Sequence, residues 1–392
     1  MKGHILFNGN IRFEGDFIRR YADLLLESHH VDPEVRKWRK VLLVTAAWQQ
    51  REFQEGHIKT EIADIGIPSR VEGGFEQNIQ NLGVYHEFNR FKEESPKIYE
   101  HYHQKQEVIR RTKTFYRRKN VEFVAILRDQ TKMMKETFPG VTLAHILDYD
   151  VLHHETDLTH FDERELLFHY ACQDVQDTLH KIRENDELML RICRQIDRYF
   201  RDRSRVDENP AYIAIRDELR ERILSANSIV IFGGHMPVLL NRLRFFRLDD
   251  VFHEALNRGT NFYTISAGSM SLAEKVIVYD DFHIDEYGQR QKEFEFFDKG
   301  LGLVTKVQLF PHCMDRIQTD DEDNLSYLAH RFASGPCVGL NEESFLLVET
   351  VSDEVTGGVR DRFMSVGEQD GVYVFDRTGL KDCRTKGEEV KV

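Results

Sequence analysis

Long hydrophobic runs are absent from this 392-residue sequence. The longest, such as Val41–Val44 and Ile229–Phe232, fall far short of the ~20 apolar residues that a membrane-spanning helix needs. The first residues, from Met1 to Asn8, turn polar too early for a secretory signal peptide. We therefore expect neither a membrane-spanning helix nor a cleaved leader.

Cysteine is also scarce. The cysteines, which show no paired spacing, are Cys172, Cys193, Cys313, Cys337 and Cys383. An odd and sparse set of this kind is typical of reduced thiols in a cytoplasmic protein and argues against a disulfide framework. The sequence thus predicts a cytoplasmic location.

Basic residues are outnumbered by acidic ones, 54 against 67, so the formal net charge is −13. Binding along nucleic acid needs a basic face for the phosphates, so we predict no nucleic-acid partner. Apolar residues make up 41% of the chain and aromatic residues 11%, which supplies a real core and excludes a wholly disordered chain. The length suits one large domain with an insertion, or two or three domains of ~100–200 residues.

Two parts of the chain have the pattern of buried strands alternating with helices. Near the start, the short aliphatic runs His4–Phe7 and Lys40–Ala47 predict buried parallel strands, and Asp16–Glu27 between them has helical spacing. After Pro210 the pattern returns, with strands predicted at Ser228–Phe232, Asn261–Ile265, Gly302–Val307, Ser344–Val348 and Val372–Asp376.

Between these two parts, glycine almost disappears and apolar residues recur every three or four positions. This spacing predicts long amphipathic helices, among them Phe161–Phe200, and Ser95-Pro96 is a typical helix start. We predict an α/β fold with a mostly parallel sheet flanked by helices. The predicted division is residues 1–87 for the first part of the α/β domain, 88–205 for a helical insertion, and 206–392 for the second part.

The sharpest local motif is Thr264-Ile265-Ser266-Ala267-Gly268, where a serine follows an apolar strand and precedes a helix-prone segment. A hydroxyl on such a tight turn is pushed out of the sheet, as a nucleophile requires. The full nucleophile pattern has glycine two residues before the serine, whereas this chain has Thr264. The alternative is a serine that merely caps an ordinary helix.

Residues that would assist such a serine follow other strands. Gly233-Gly234 ends a strand, and backbone N–H groups there and at Ala267 would stabilise an oxyanion. His312, beside Pro311, suits a general base, although a lone histidine is more often structural. An orienting acid after the strand at Val276–Val278 would be one of Asp280, Asp281, Asp285 or Glu286.

Two other groups of polar residues favour a solvent-exposed helix face over a functional site. Candidate metal ligands occur in the helical region, but their spacing matches no standard metal site. They are His153, His154, Asp157, His160, His169 and Cys172. The basic residues from Arg110 to Lys119 favour a salt-bridged helix face. We predict no metal and no organic cofactor.

Taken in order along the chain, the motifs resemble the dipeptidase E/cyanophycinase family of serine peptidases, which has a class I glutamine amidotransferase-like fold. The matching segments are Ala226–Gly234 with Leu239-Leu240, Ser266–Gly268, Gly300–Leu303, His312, Arg316, Gly339–Ser344 and Gly371–Asp376. They cover residues 210–380 well and 1–85 loosely.

The resemblance implies roles for particular residues. Ser266 would be the nucleophile and His312 the base, with Asp281 as the acid and Glu286 as the alternative. Gly234 or Gly233, together with Ala267, would supply the oxyanion N–H groups. His235 and Arg316 fall where the family contacts its substrate.

The chain also departs from the family pattern. His235 replaces the usual Asn or Asp, Phe310 replaces an Asp, and the acidic run Asp320–Asp323 stands where further arginines are expected. We therefore expect a neutral or basic substrate group.

Three functions follow from these residues. A serine peptidase or amidohydrolase acting on a small peptide or amide is favoured, with the helical insertion capping the site or binding an oligomer or protein partner. The alternative is a catalytically inactive binding module whose insertion engages a partner. A glutamine amidotransferase is disfavoured, because its nucleophile is cysteine.

Overall fold

The computed structural model describes most of the chain, namely residues 2–10, 18–71, 77–151, 162–280, 283–284, 290–291, 294–352, 358–367 and 371–392.

Within these residues the strands are short. They are β1 Ile5–Asn8, β2 Val41–Val44, β3 Ile79–Asn81, β4 Ser228–Ile231, β5 Asn261–Ile265, β6 Lys275–Asp280, β7 His283–Ile284, β8 Arg290–Gln291, β9 Phe294–Lys299, β10 Gln308–Pro311, β11 Cys337–Leu340, β12 Phe345–Ser352, β13 Val359–Ser365, β14 Val372–Phe375 and β15 Lys381–Arg384.

The helices range from one turn to more than ten. They are α1 Ala22–Leu26, α2 Pro33–Trp38, α3 Gly56–Asp64, α4 Val84–Glu94, α5 Pro96–Thr137, α6 Leu143–Leu147, α7 Glu163–Ser204, α8 Pro210–Leu224, α9 Met236–Phe245, α10 Leu248–Asn257, α11 Ala267–Leu272, α12 Cys313–Arg316 and α13 Glu322–Phe332. Short 3₁₀ segments lie at Ala46–Arg51 and Val206–Glu208. In the part of the chain that the structure describes, no helix has the length and apolarity to cross a bilayer.

The main sheet has seven strands in the order β13-β12-β1-β5-β4-β2-β3. The five strands from β1 to β3 in this order run parallel, whereas β12 and β13 are antiparallel additions at one edge. Every residue of β1, β2, β4 and β5 is buried, as expected for strands covered by helices on both faces. The predicted α/β fold with a mostly parallel sheet is confirmed.

A second sheet carries the other half of the candidate site. Its order is β10-β11-β14-β15, with β10 and β11 parallel, and β6 pairs with β9 beside it. The predicted strand at Gly302–Val307 is wrong: this segment makes only an isolated bridge between Val304 and Ala273. Gly302 has φ +74°, a left-handed conformation that interrupts an extended strand.

The helical region consists mainly of α5 and α7, which have 42 residues each and are therefore about 63 Å long. Pro96 occupies the first turn of α5, and Asp162 and Glu165 form a capping box at the start of α7. Lys105 Nζ lies 2.7 Å from Asp197 Oδ1, and Asn120 Nδ2 lies 2.7 Å from Asp186 Oδ1. These pairings make the two helices an antiparallel hairpin.

A buried arginine joins this helical hairpin to the rest of the fold. The Arg331 side chain on α13 is fully buried, and its Nε lies 2.9 Å from Asp186 Oδ2 on α7. Its Nη1 lies 2.7 Å from Glu295 Oε2 on β9 and 2.8 Å from the Tyr327 hydroxyl. Apolar side chains of the hairpin and of the second sheet also share one core, so the helices pack onto the α/β part. The division at residues 88 and 205 stays a prediction.

Substitution of Arg331 by methionine tests this connection. The variant leaves the buried Asp186 and the half-buried Glu295 without their cation, so we expect the free energy of unfolding to fall by about 3–5 kcal/mol. Urea unfolding followed by circular dichroism measures the loss. Arg360→Met is the control, because Arg360 forms an exposed pair with Glu389 and should cost less than about 1 kcal/mol. Equal stability of the two variants would contradict the proposed role of Arg331.

Candidate active site

Ser266 stands on a strained turn directly after β5. Its backbone has φ +50° and ψ −111°, outside the regions that ordinary residues occupy, at a cost of about 1–3 kcal/mol. The Ser266 N–H donates to the carbonyl oxygen of Asn8 at 2.9 Å, which fixes the turn against the end of β1. The side chain does not cap α11, so the helix-cap alternative does not account for this serine.

Two glycines allow this turn to pack closely. A Cβ on Gly268 would lie 2.2 Å from the carbonyl oxygen of Ile231, so α11 approaches β4 only because Gly268 has no side chain. A Cβ on Gly233 would lie 2.9 Å from the Ser266 Cβ. The absence of side chains therefore brings the Gly233-Gly234 turn directly against the serine.

Hydroxyl groups support the turn from below. The Ser269 hydroxyl donates to the Asn8 carbonyl at 2.7 Å, and the Thr264 hydroxyl lies within hydrogen-bonding distance of both Ser269 Oγ and the Leu6 carbonyl. Thr264 occupies the position where the common nucleophile motif has glycine. The Thr264 side chain is buried. The replacement of glycine by threonine therefore adds hydrogen bonds below the turn without filling the space around Ser266.

The structure brings Ser266 and His312 together, as the sequence predicts. His312 follows β10 with φ +51°, and its Nε2 lies 3.1 Å from Ser266 Oγ. Burial of the imidazole lowers the pKa of His312, and the positive charge of Arg316 lowers it further, whereas Asp315 and Glu342 raise it. The net effect favours a neutral ring, which is the form that accepts a proton from a hydroxyl.

The carboxylate that would orient His312 has candidates on two segments. Asp281 and Glu286 lie outside the residues that the structure describes. Glu342 follows β11, which pairs in parallel with β10 so that Pro311 lies opposite Leu340. The next residues after these two strands are His312 and Asn341, and the Asn341 side chain accepts a hydrogen bond from the Met314 N–H at 2.9 Å.

The sequence motifs do not identify Glu342 as a candidate acid. Glu342 lies in Gly339–Ser344, a segment that resembles the family but to which the resemblance assigns no catalytic role. Its position near His312 depends on the pairing of β10 with β11, two strands about thirty residues apart in the chain. Local sequence patterns do not encode this pairing.

The two glycines proposed for the oxyanion site have different neighbours. Gly233 lies against Ser266 and Ala267. A Cβ on Gly233 would lie 2.9 Å from the Ser266 Cβ and 3.4 Å from the Ala267 nitrogen. Gly234 has φ +131° and packs on Ala47, whose carbonyl accepts the His235 N–H at 3.1 Å. Gly233 and Ala267 therefore flank the serine directly, and Gly234 holds the turn in place.

The remaining predicted residues have structural contacts of their own. His235 is exposed, and its Nδ1 accepts the Val238 N–H at 3.2 Å to cap α9. Phe310 is buried and packs on Phe375, with ring centroids 5.5 Å apart, so the replacement of an acid there serves the core. Arg316 is half-buried on α12 and acts electrostatically on His312.

The candidate metal ligands of the helical region are not brought together in what the structure describes. His153, His154, Asp157 and His160 lie outside the described residues. His169 and Cys172 are both buried on α7, and the Cys172 thiol has its pKa raised to about 12 by burial, which disfavours the thiolate that binds metal.

Comparison with known proteins agrees with the motifs. Residues 205–355 match the sequence model of Peptidase family S51. Among solved structures, the chain is similar to a peptidase from an acI-B1 Actinobacterium, with 14% sequence identity, a TM-score of 0.46, and coverage of 100% of this chain and 98% of that one. No curated protein sequence matches the chain. The resemblance to the dipeptidase E/cyanophycinase family is confirmed by the match of residues 205–355 to the model of Peptidase family S51.

Proposed function

We propose that this protein is a serine hydrolase that cleaves an amide bond in a peptide or a related small molecule. The observation that carries the proposal is the 3.1 Å separation of Ser266 Oγ and His312 Nε2 on a strained turn. The family match over residues 205–355 independently supports a serine peptidase.

The proposed reaction follows from these positions. Ser266 Oγ attacks the amide carbonyl while His312 Nε2 takes the hydroxyl proton, and the negative charge on the carbonyl oxygen is stabilised by N–H groups of Gly233 or Gly234 and Ala267. Collapse of this intermediate breaks the C–N bond, and His312 gives its proton to the leaving amine. Water, deprotonated by His312, then attacks the acyl-serine ester and releases the acid product.

The inactive binding module is the weaker candidate. The departures from the family pattern at His235 and Phe310 favour such a module, yet capping of α9 explains His235 and core packing explains Phe310. A module that only binds a partner has no requirement for a serine held in a strained conformation against a histidine. Binding of an oligomer or protein partner through the helical hairpin stays a prediction, as does the cytoplasmic location.

The acidic run near the site gives less information about the substrate than its charge suggests. Asp320 pairs with Lys381 at 2.8 Å, and Asp321 caps α13. Asp323 pairs with Lys135 and accepts the Leu143 N–H at 2.9 Å. Of these carboxylates only Asp323 contacts the helical region, through Lys135 and Leu143. Because all three have structural partners, we propose a neutral or basic substrate group only on the basis of the net charge.

Substitution of Ser266 by alanine tests the nucleophile. Without the hydroxyl no acyl-enzyme forms, so we expect kcat/KM for a substrate found in a peptide-library screen to fall at least about 10³-fold. Ser352→Ala, which changes an exposed serine at the end of β12, should retain full activity. Retention of activity within about tenfold in Ser266→Ala would contradict the mechanism.

Amide substitutions identify the orienting acid. Asp281→Asn, Glu286→Gln and Glu342→Gln each remove one negative charge with little change in size. We expect kcat to fall about 10²–10⁴-fold in Glu342→Gln, because Glu342 follows the strand that pairs with β10 and its negative charge raises the pKa of His312. We expect losses below about tenfold in the other two variants. A large loss in Asp281→Asn instead would assign the role to the acid that the sequence predicts.

The pH dependence tests the environment of His312. The base must be neutral, so kcat/KM falls as the pH drops through the pKa of His312. Because Arg316 lowers this pKa, Arg316→Gln should raise it and move the acidic limb of the profile to higher pH, whereas Arg316→Lys should leave the limb in place. A limb that stays unchanged in Arg316→Gln, or moves to lower pH, would contradict this account.

A further inference from the structure

Two histidines and a glutamate meet at the edge of the main sheet opposite Ser266. His4 immediately precedes β1, and Glu27 and His29 follow α1. One potential ligand atom from each of the three side chains lies within 4.8 Å of the other two. The His4 and His29 ring centroids are 4.9 Å apart, and His29 Nε2 lies 3.0 Å from Glu27 Oε1.

The two ring nitrogens of His4 have no hydrogen-bond partner among the described residues. Nδ1 and Nε2 are both buried, although a neutral imidazole always carries one N–H that needs an acceptor. Glu349 Oε2 is 4.0 Å from His4 Nδ1, too far for a hydrogen bond, and this carboxylate pairs with Arg362. An orphaned buried donor costs about 1–3 kcal/mol, so the arrangement calls for a ligand.

The backbone around the cluster is already held in place. The His4 N–H donates to Asn261 Oδ1 at 2.9 Å, and the side-chain amides of Asn227 and Asn261 both donate to the Glu27 carbonyl at 3.3 Å. A Cβ on Gly259 would lie 2.2 Å from the His29 carbonyl oxygen, so this loop packs closely beside β5. These contacts fix the three Cα positions and leave side-chain rotation to bring the ligand atoms together.

We propose that His4, Glu27 and His29 bind a divalent cation of the zinc class. Two imidazole nitrogens and one carboxylate oxygen are a ligand set that zinc accepts, with the fourth position taken by water or by Glu349. Tetrahedral bonds of about 2.0–2.2 Å place ligand atoms about 3.3–3.6 Å apart, a short rotation from the present separations.

The exposure of the cluster agrees with such a site. The Glu27 side chain is 45% exposed, which gives a cation a route from solvent.

The position of the cluster indicates a stabilising cation and not a catalytic one. Ser266 lies at the far end of β5, about 16 Å along the strand from the residue beside His4. A cation at the cluster would tie the start of β1 to the loop after α1, and through Asn227 and Asn261 to the starts of β4 and β5.

Zinc titration of the 392-residue chain, stripped of metal with a chelator, tests the proposal. Isothermal calorimetry with zinc chloride is run on the wild type, on His29→Ala and Glu27→Gln, and on His103→Ala as a control for exposed histidines. We expect His29→Ala and Glu27→Gln to weaken the tightest zinc event at least about 100-fold, since removal of outer partners alone costs 10–100-fold. His103→Ala should bind as the wild type does.

Thermal unfolding provides the second measurement and separates this site from histidines elsewhere. Zinc should raise the unfolding midpoint of the wild type and of His103→Ala, and leave the midpoint of Glu27→Gln unchanged, because only a cation bound to the native cluster stabilises the fold. Glu27→Gln keeps the size of the side chain, so its far-ultraviolet circular dichroism should match the wild type. Equal zinc affinity and equal midpoint shifts in all four proteins would overturn the proposal.

Discussion

The candidate site depends on one constraint, the strained backbone of Ser266 between β5 and α11. The turn exists only where its neighbours are small: Gly268 lets α11 meet β4, and Gly233 lets the turn after β4 touch the serine. Hydrogen bonds from Ser266 and Ser269 to the Asn8 carbonyl anchor the same turn to β1. The energy stored in this conformation is offset by the buried parallel strands around it, since all residues of β1, β4 and β5 are buried.

His312 comes from the second sheet, and the helical hairpin shares an apolar core with that sheet. His312 follows β10 of the second sheet, and Arg331 on the nearby α13 binds Asp186 of the hairpin. Phe310, two residues before the base, belongs to the same apolar core as Leu127 and Ile182 of the long helices. The hairpin is therefore packed against the sheet that carries the proposed base, which gives this large helical addition a physical link to the chemistry.

Sequence patterns predicted what is local and missed what depends on pairing between distant segments. The aliphatic runs at β2, β4 and β5 and the periodicity of α7 gave these elements nearly in their observed places, because burial and amphipathicity are encoded residue by residue. Gly302–Val307 was mistaken for a strand, since its apolar residues pack in an irregular segment. The nearness of Glu342 to His312, and of His4 to His29, follows from strand order, which periodicity does not encode.

The most direct test of the account is covalent labelling of the native protein with a fluorophosphonate, followed by peptide mass mapping. We expect a single adduct on Ser266 and a labelling rate at least about 100-fold lower in His312→Gln, because only a serine paired with a base is nucleophilic at neutral pH. An adduct on another residue, or equal labelling rates in wild type and His312→Gln, would contradict the central claim that these two side chains act together.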